Sequence, residues 1–188
     1  MAMPALEHRY WTAADVRELP DDGNRYECID GELLVTPAPR GRHQAALSEL
    51  FRRLDAYVTP RGLGELLWSP ADIELEPDSL VQPDLFVARL RPGVSRFRDW
   101  TEIVGLELAI EVLSPSTARY DRMVKRKFYQ RAGVSEYWIV DLDARLIERW
   151  RPQDERPEIA HETMRWQPGA AAEALEFDVA GYFARLVD

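Results

Sequence analysis

Cysteine and histidine are scarce in this sequence of 188 residues, which contains one cysteine and three histidines. The single cysteine, Cys28, cannot form an internal disulfide, and it excludes a zinc site built from several cysteines. His161-Glu162 lacks the second histidine of a zinc-protease motif. Glycine-rich phosphate-binding motifs and the G-x-S-x-G motif are also missing, which disfavours P-loop enzymes, dinucleotide-binding enzymes and serine hydrolases of that type.

Long apolar runs are missing as well. No segment approaches the roughly 18 apolar residues of a spanning helix, and the N-terminus has no apolar stretch like that of a secretory signal. We therefore expect a cytoplasmic protein without a membrane partner. The net charge of −9 disfavours a protein that coats nucleic acid non-specifically, because such binding needs many cations. Length and a hydrophobic content of 46% predict one domain over residues 1–188.

The first third of the chain predicts a helix, a hairpin and a second helix. Thr12 is placed to cap the short first helix. The segments RYECI and ELLVTP flank Asp30-Gly31, a pair that suits a tight turn between two strands. Apolar residues then recur at helical spacing over residues 43–58, and we expect Pro60 and Gly62 to end this helix.

The rest of the chain predicts mainly strands. Three β-type segments, GELLWSPADIEL, LVQPDLFVARL and LELAIEVLSPST, precede a helix that ends near Ala132. SEYWIVDLDARLIERWR predicts two strands, EIAHETMRWQP one more, and DVAGYFARLV a terminal helix. This order indicates an α/β fold, with a central β-sheet flanked by helices and an N-terminal helix and hairpin.

Two acidic residues occur where strands should be buried. Glu111 lies in the most apolar run of the chain, and Asp84 lies in the preceding β-type segment. Burying an unpaired carboxylate is costly, so both need a reason. On neighbouring strands they could bind one Mg²⁺ ion. The alternatives are that Glu111 pairs with an arginine and that Pro83-Asp84 marks a turn.

A basic helix follows the strand of Glu111. Lys125 and Lys127 are the only lysines among 24 basic residues, which suggests a requirement for a compact ammonium group. On a helical wheel they flank the apolar side formed by Tyr120, Val124, Phe128 and Ala132, so geometry does not choose between them. Asp121, Lys125 and Tyr129 share one stripe. Arg119, Arg122 and Arg126 could contact nucleic acid, although a solvated helix face explains them equally well.

These motifs carry a family resemblance. The PD dipeptide, the strand glutamate and the helical lysine together resemble the PD-(D/E)XK nuclease superfamily, which has a restriction-endonuclease-like core with a mixed β-sheet. More narrowly, RYECIDGELLVTPAPRGRHQ, VQPDLFV and IEVLSPSTARYDRMVKRKFYQRAGVSEYWIVD resemble the bacterial Uma-type family of restriction-endonuclease-like proteins. The resemblance extends over most of the chain between Arg25 and Asp141.

The resemblance implies a metal-dependent endonuclease in which Asp84, Glu111 and Val112 bind Mg²⁺ or Mn²⁺. The usual lysine, two residues after the strand glutamate, is replaced by Leu113. The family pattern implies that Lys125 takes that part and assists the attacking water. Glu27 matches a further acid of the family and could act in catalysis by binding a second metal or positioning a water, although an exposed hairpin carboxylate explains it equally well. Lys127 stays an alternative to Lys125, while His43, in a matching HQ element, is more typical of a helix cap or surface residue.

The substrate implied is nucleic acid, with DNA favoured, although the residues do not distinguish DNA from RNA. A two-fold dimer would suit an enzyme that cuts both strands. A rival interpretation is a nuclease-fold module that binds nucleic acid or a protein and catalyses nothing.

Overall fold

A six-stranded mixed β-sheet forms the centre of the protein. The structure is a computed structural model and describes residues 9–37, 41–94, 97–169, 171 and 173–186. The elements, in chain order, are α1 (Ala13–Arg17), β1 (Arg25–Ile29), β2 (Glu32–Thr36), α2 (Gly41–Arg61), β3 (Glu65–Trp68), β4 (Leu85–Leu90), β5 (Ile103–Val112), α3 (Ala118–Tyr120), α4 (Arg126–Arg131), β6 (Glu136–Asp141), β7 (Leu146–Trp150), β8 (Glu158–Ala160), β9 (Thr163–Trp166), β10 (Leu175–Asp178) and α5 (Val179–Ala184).

The sheet has the strand order β3-β4-β5-β6-β7-β8. Among the strands described, β5 and β6 alone pair in parallel, and the helical segment between them provides the crossover. β4 pairs antiparallel with β5. The strand that follows Asp84 and the strand that contains Glu111 therefore lie side by side. The predicted mixed sheet, flanked by helices and preceded by a helix and a hairpin, is confirmed.

Each face of the sheet packs against its own helices. Alternate residues of a strand point to opposite faces. Leu85 of β4 belongs to the core cluster that contains residues of α2 and α5, whereas Phe86 belongs to the cluster that contains Phe128 and Tyr129 of α4. Side chains of β5 alternate in the same way, which explains why its sequence is almost continuously apolar.

The N-terminal helix and hairpin follow the predicted local chemistry. The Thr12 side chain accepts a hydrogen bond from the Asp15 amide, and the Asp15 side chain accepts one from Thr12, which completes a capping box. Asp30 and Gly31 have φ angles of 52° and 82°, as a tight turn between β1 and β2 requires. The Cys28 amide and carbonyl pair with Leu80, which joins this hairpin to the rest of the domain.

Several predicted boundaries are wrong. α2 continues through Pro60 to Arg61, so Pro60 does not end the helix, whereas the chain turns as expected at Gly62, which has a φ of 61°. EIAHETMRWQP forms two strands, β8 and β9, instead of one. β10 was not predicted; it pairs with β9 in a separate two-stranded sheet. The terminal helix is confirmed over the residues of α5.

The basic helix contains a π turn over Asp121–Lys125, between α3 and α4. The wider turn shifts the helix phase relative to a regular wheel. Lys125 is therefore buried, with 1% of its surface exposed, although the regular wheel placed it on a flank. Tyr120 and Val124, expected on the core side, are only half-buried.

None of the helices in the described part of the chain is both long and apolar enough to cross a membrane.

Candidate active site

The candidate site lies where β4 begins and β5 ends. Asp84 immediately precedes β4, and Glu111 is the penultimate residue of β5. Leu85 pairs with Ile110, so the antiparallel register brings Asp84 opposite Glu111. Directly opposed residues point to the same face of a sheet. Strand β1, the start of α2 and the π turn add further side chains to this point.

Lys125 links two acids from different elements. Its Nζ atom lies 2.8 Å from Glu111 Oε1 and 2.8 Å from Glu27 Oε1. The Gln82 amide also donates to Glu27 Oε1, at 2.6 Å, and the Tyr129 hydroxyl donates to Glu111 Oε1 at 3.4 Å. The three charged side chains are at most 3% exposed. Lys125 therefore compensates two buried carboxylates at once.

Asp84 is held by three donors. Arg25 Nη1 donates to Asp84 Oδ1 at 2.6 Å, and His43 Nε2 and the Val112 amide each donate to Oδ2 at 2.9 Å. Burial opposes ionisation of Asp84. The hydrogen bond and charge of His43, the charge of Arg25 and the Val112 hydrogen bond outweigh it and lower the Asp84 pKa to about 2. Asp84 is therefore ionised at neutral pH.

The two neighbouring acids behave in the opposite way. Burial raises the pKa of Glu111 well above its usual value despite the charge of Lys125, and the negative charge of Asp84 adds to the rise. Burial likewise raises the pKa of Asp121 to about 6. The pKa of Lys125 is also raised, because Glu111 and Glu27 outweigh the effect of burial, so the amine stays charged.

The cluster carries more acids than permanent cations. Four carboxyl groups, those of Glu27, Asp84, Glu111 and Asp121, face the two cations Arg25 and Lys125. The neighbouring negative charges add to the effect of burial in raising the pKa values of Glu111 and Asp121. A divalent cation would compensate the same surplus of negative charge.

The remaining acceptor sites suit a hard cation. Asp84 Oδ1 accepts one hydrogen bond and keeps a lone pair, and Glu111 Oε2 accepts none from the described residues. A cleft of about 340 Å³, lined in part by Asp84, Glu111 and Lys125, leaves room for water. Mg²⁺ commonly takes one or two carboxylates and fills its other positions with water, so Asp84 and Glu111 fit it. Within the residues the structure describes, no group of three or more acidic, histidine or cysteine side chains is arranged around a metal position.

Val112 also reaches the site. Its main-chain N–H donates to Asp84 and cannot coordinate a cation. Its predicted part in metal binding would have to come from the carbonyl oxygen, and it stays a prediction.

The structure separates the two lysines. Lys127 is exposed, because residues two apart on a helix point in nearly opposite directions. It lies outside the cluster that Lys125 joins.

The three predicted nucleic-acid contacts are in different surroundings. Arg119 is exposed. Arg122 forms ion pairs with Asp141 at 2.9 Å and Glu148 at 2.6 Å. The Arg126 guanidinium stacks 4.7 Å from the centre of the Trp150 ring and donates to Gln130. The charges of Arg122 and Arg126 are thus already engaged, and contact with nucleic acid stays a prediction for all three.

Arg25 and His43 are the site residues that sequence reasoning missed or set aside. Arg25 is two residues before Glu27 in β1, and this period of two places both side chains on one face of the strand. The spacing could therefore have indicated that Arg25 lies in the same site as Glu27. His43 lies in the HQ element that resembles the family, but nothing in its local sequence indicated Asp84 as its partner.

Comparison with known proteins agrees with this fold. The crystal structure of "a putative nuclease belonging to DUF820" from Anabaena variabilis ATCC 29413 matches with a TM-score of 0.73 and 22% sequence identity, covering 94% of this chain and 99% of that chain. This likeness shows a shared fold. The family model of Uma2, described as "Putative restriction endonuclease", matches residues 13–180. The chain therefore belongs to the Uma2 family. No curated protein matches the sequence.

Proposed function

We propose that this protein is a metal-dependent endonuclease that hydrolyses phosphodiester bonds in nucleic acid, with DNA the favoured substrate. The observation that carries the proposal is the buried cluster of Asp84, Glu111 and Lys125 at the edge of a water-accessible cleft. An ammonium buried between carboxylates is costly to maintain for stability alone, because apolar side chains could fill the same space. Membership of the Uma2 family supports the same chemistry.

Asp84 and Glu111 would hold Mg²⁺ or Mn²⁺ with the two oxygens that keep acceptor capacity. When bound, such an ion lowers the pKa of a coordinated water and neutralises charge on the scissile phosphate. Asp84 is already ionised, and a bound cation would oppose the effect of burial that raises the pKa of Glu111. Val112 would join these two residues as a metal ligand through its main-chain carbonyl oxygen.

Lys125 would assist the attacking water. An ammonium group has three donors, and two of them point to Glu27 and Glu111. The third can donate to a water or to a phosphate oxygen in the cleft, where it would stabilise developing negative charge. Glu27 acts through Lys125 by holding its amine in place, and Arg25 would move from Asp84 towards the phosphate when the metal binds.

The second candidate is a nuclease-fold module that binds nucleic acid or a protein partner without cleaving anything. Asp84 favours this alternative, because three intramolecular donors already satisfy most of its acceptor capacity. In this case the cluster is a structural ion network, and neither metal binding nor cleavage is expected.

Cleavage assays separate the two candidates. Purified protein is incubated with supercoiled plasmid, single-stranded DNA and RNA in Mg²⁺ or Mn²⁺. Asp84→Asn and Glu111→Gln should abolish cleavage, whereas Glu32→Gln, an equivalent change at an exposed hairpin carboxylate, should leave it intact. Activity that persists in both active-site variants would contradict the proposal. Failure to cleave any substrate would favour the binding module.

The cytoplasmic location, the single domain over residues 1–188 and the homodimer stay predictions from the sequence.

A further inference from the structure

An apolar groove opens beside the candidate site. It lies between α2 and the edge strand β3 and is defined here by Gln44, Leu47, Ser48, Phe51, Trp68 and Ser69. We call it the Trp68 groove. Its volume of about 240 Å³ can take one planar ring system.

Trp68 is unusually exposed for its type. It is the last residue of β3 and has 54% of its surface exposed. Phe51 packs against it in an edge-to-face arrangement, with ring centres 5.0 Å apart and an angle of 82° between the planes. This contact holds the indole in place while much of its surface stays open. A fixed, exposed aromatic ring is a good platform for stacking.

The groove adjoins the active-site cleft at three elements. α2 contributes His43 to the site and the next residue, Gln44, to the groove. The start of β4 does the same with Asp84 and Leu85. Ser69 lies between the two, because its amide donates to the Asp84 carbonyl at 3.2 Å and its hydroxyl accepts from Arg25 at 3.4 Å.

The chemistry of the groove suits a nucleobase. None of the described residues that line it is charged, so this lining matches a neutral ring better than a phosphate. Gln44, Ser48 and Ser69 offer donors and acceptors to the edge of a base. The adjoining cleft holds the charged groups that a phosphate backbone would need. A second copy of the chain is a poorer occupant, because β3 has only four residues and such short edge strands resist strand addition.

From this proximity we infer that the Trp68 groove binds one unstacked base of a nucleic-acid strand whose scissile phosphate lies at Asp84 and Glu111. The inference rests on the proposed function and specifies its substrate as a strand with an unpaired nucleotide beside the cut. A base in a regular duplex is stacked on both sides and could not enter the groove. Single-stranded or locally opened nucleic acid is therefore the expected ligand.

The test is a binding measurement that does not depend on cleavage. A fluorescein-labelled single-stranded DNA of about 12 nucleotides, the RNA of the same sequence and the matching duplex are titrated with protein in Ca²⁺, and anisotropy is recorded. Loss of one base–aromatic stack should weaken single-strand binding about tenfold in Trp68→Ala. Trp68→Phe, which keeps an aromatic ring, should stay within about threefold. Trp100→Ala is the matched control, since Trp100 is also exposed (40%) but lies outside the groove.

A second measurement removes the base instead of the ring. Single abasic positions are moved along the oligonucleotide, and one such position should weaken binding to the wild type but not to Trp68→Ala. This comparison holds even if the variant loses some stability, because each protein is measured against itself.

Several results would overturn the inference. These are unchanged binding by Trp68→Ala, an equal loss in Trp68→Ala and Trp68→Phe, no binding of any oligonucleotide by the wild type, or a dimer that becomes monomeric in Trp68→Ala. Failure of the proposed function is distinguishable from these. Oligonucleotide binding that depends on Trp68 without any cleavage would sink the endonuclease proposal alone, whereas cleavage and binding that do not depend on Trp68 would sink only the present inference.

Discussion

Replacement of Lys125 by methionine should destabilise the protein severely. Methionine fills similar space without charge, so the change leaves Glu27 and Glu111 buried without their shared cation. Removing one partner of a buried ion pair costs about 3–5 kcal/mol. In a chain of this size that loss corresponds to a fall in melting temperature of roughly 6–20 °C. Thermal and urea unfolding in EDTA measure it directly.

Two further measurements make the reasoning specific to this cluster. The loss should shrink as the pH falls, because Glu111, whose pKa is already raised by burial, takes up a proton and becomes cheaper to bury. Adding Glu27→Gln to Lys125→Met should recover a large part of the stability, since it removes one unpaired charge. Lys127→Met is the matched control, and an exposed position should change stability by less than about 0.5 kcal/mol. Equal effects of the two lysine variants would refute the reasoning.

Other perturbations test single groups. Arg25→Ala should raise Mn²⁺ affinity about tenfold by calorimetry, because a cation that competes for Asp84 is gone; unchanged or weaker affinity would mean that Arg25 does not oppose the metal. Lys127→Ala should keep plasmid cleavage within about twofold of the wild type, and a severe loss would reopen the choice of lysine. Burial raises the pKa of Glu136 to about 7 despite its hydrogen bond from Trp138. Protonated Glu136 should therefore stabilise the folded protein at low pH. About 3 kcal/mol of the free energy of unfolding should be lost as the pH rises from 4.5 to 7. Glu136→Gln should flatten that slope in urea unfolding, and an unchanged slope would rule out this assignment.

Much of the fold was readable from local sequence. Hairpin β1–β2 follows from strand-forming residues around Asp30-Gly31, and β5 follows from its continuous apolar run. The break between β8 and β9 was not visible, because His161-Glu162, which separates the two strands, contains none of the Gly, Pro, Asn or Asp residues that usually mark a turn. β10 is four residues long and is stabilised by pairing with β9, a contact that local sequence does not encode.

The residues of the candidate site were likewise predictable from the sequence only in part. Glu111 stood out because a carboxylate in an apolar strand is costly, and the structure brings it together with Asp84, Lys125 and Glu27. The burial of Lys125 depends on a π turn, which has no reliable local signature and defeats a regular helical wheel. His43 and Arg25 could not be assigned to Asp84 because their partnership exists only in the tertiary structure.

The most direct test of the account is a crystal grown with saturating Mn²⁺ and measured for anomalous scattering. We expect one peak in the cleft, bonded to an oxygen of Asp84 and an oxygen of Glu111, with Arg25 moved away from Asp84. An ordered site without a peak, in which Arg25 still pairs with Asp84, would contradict it.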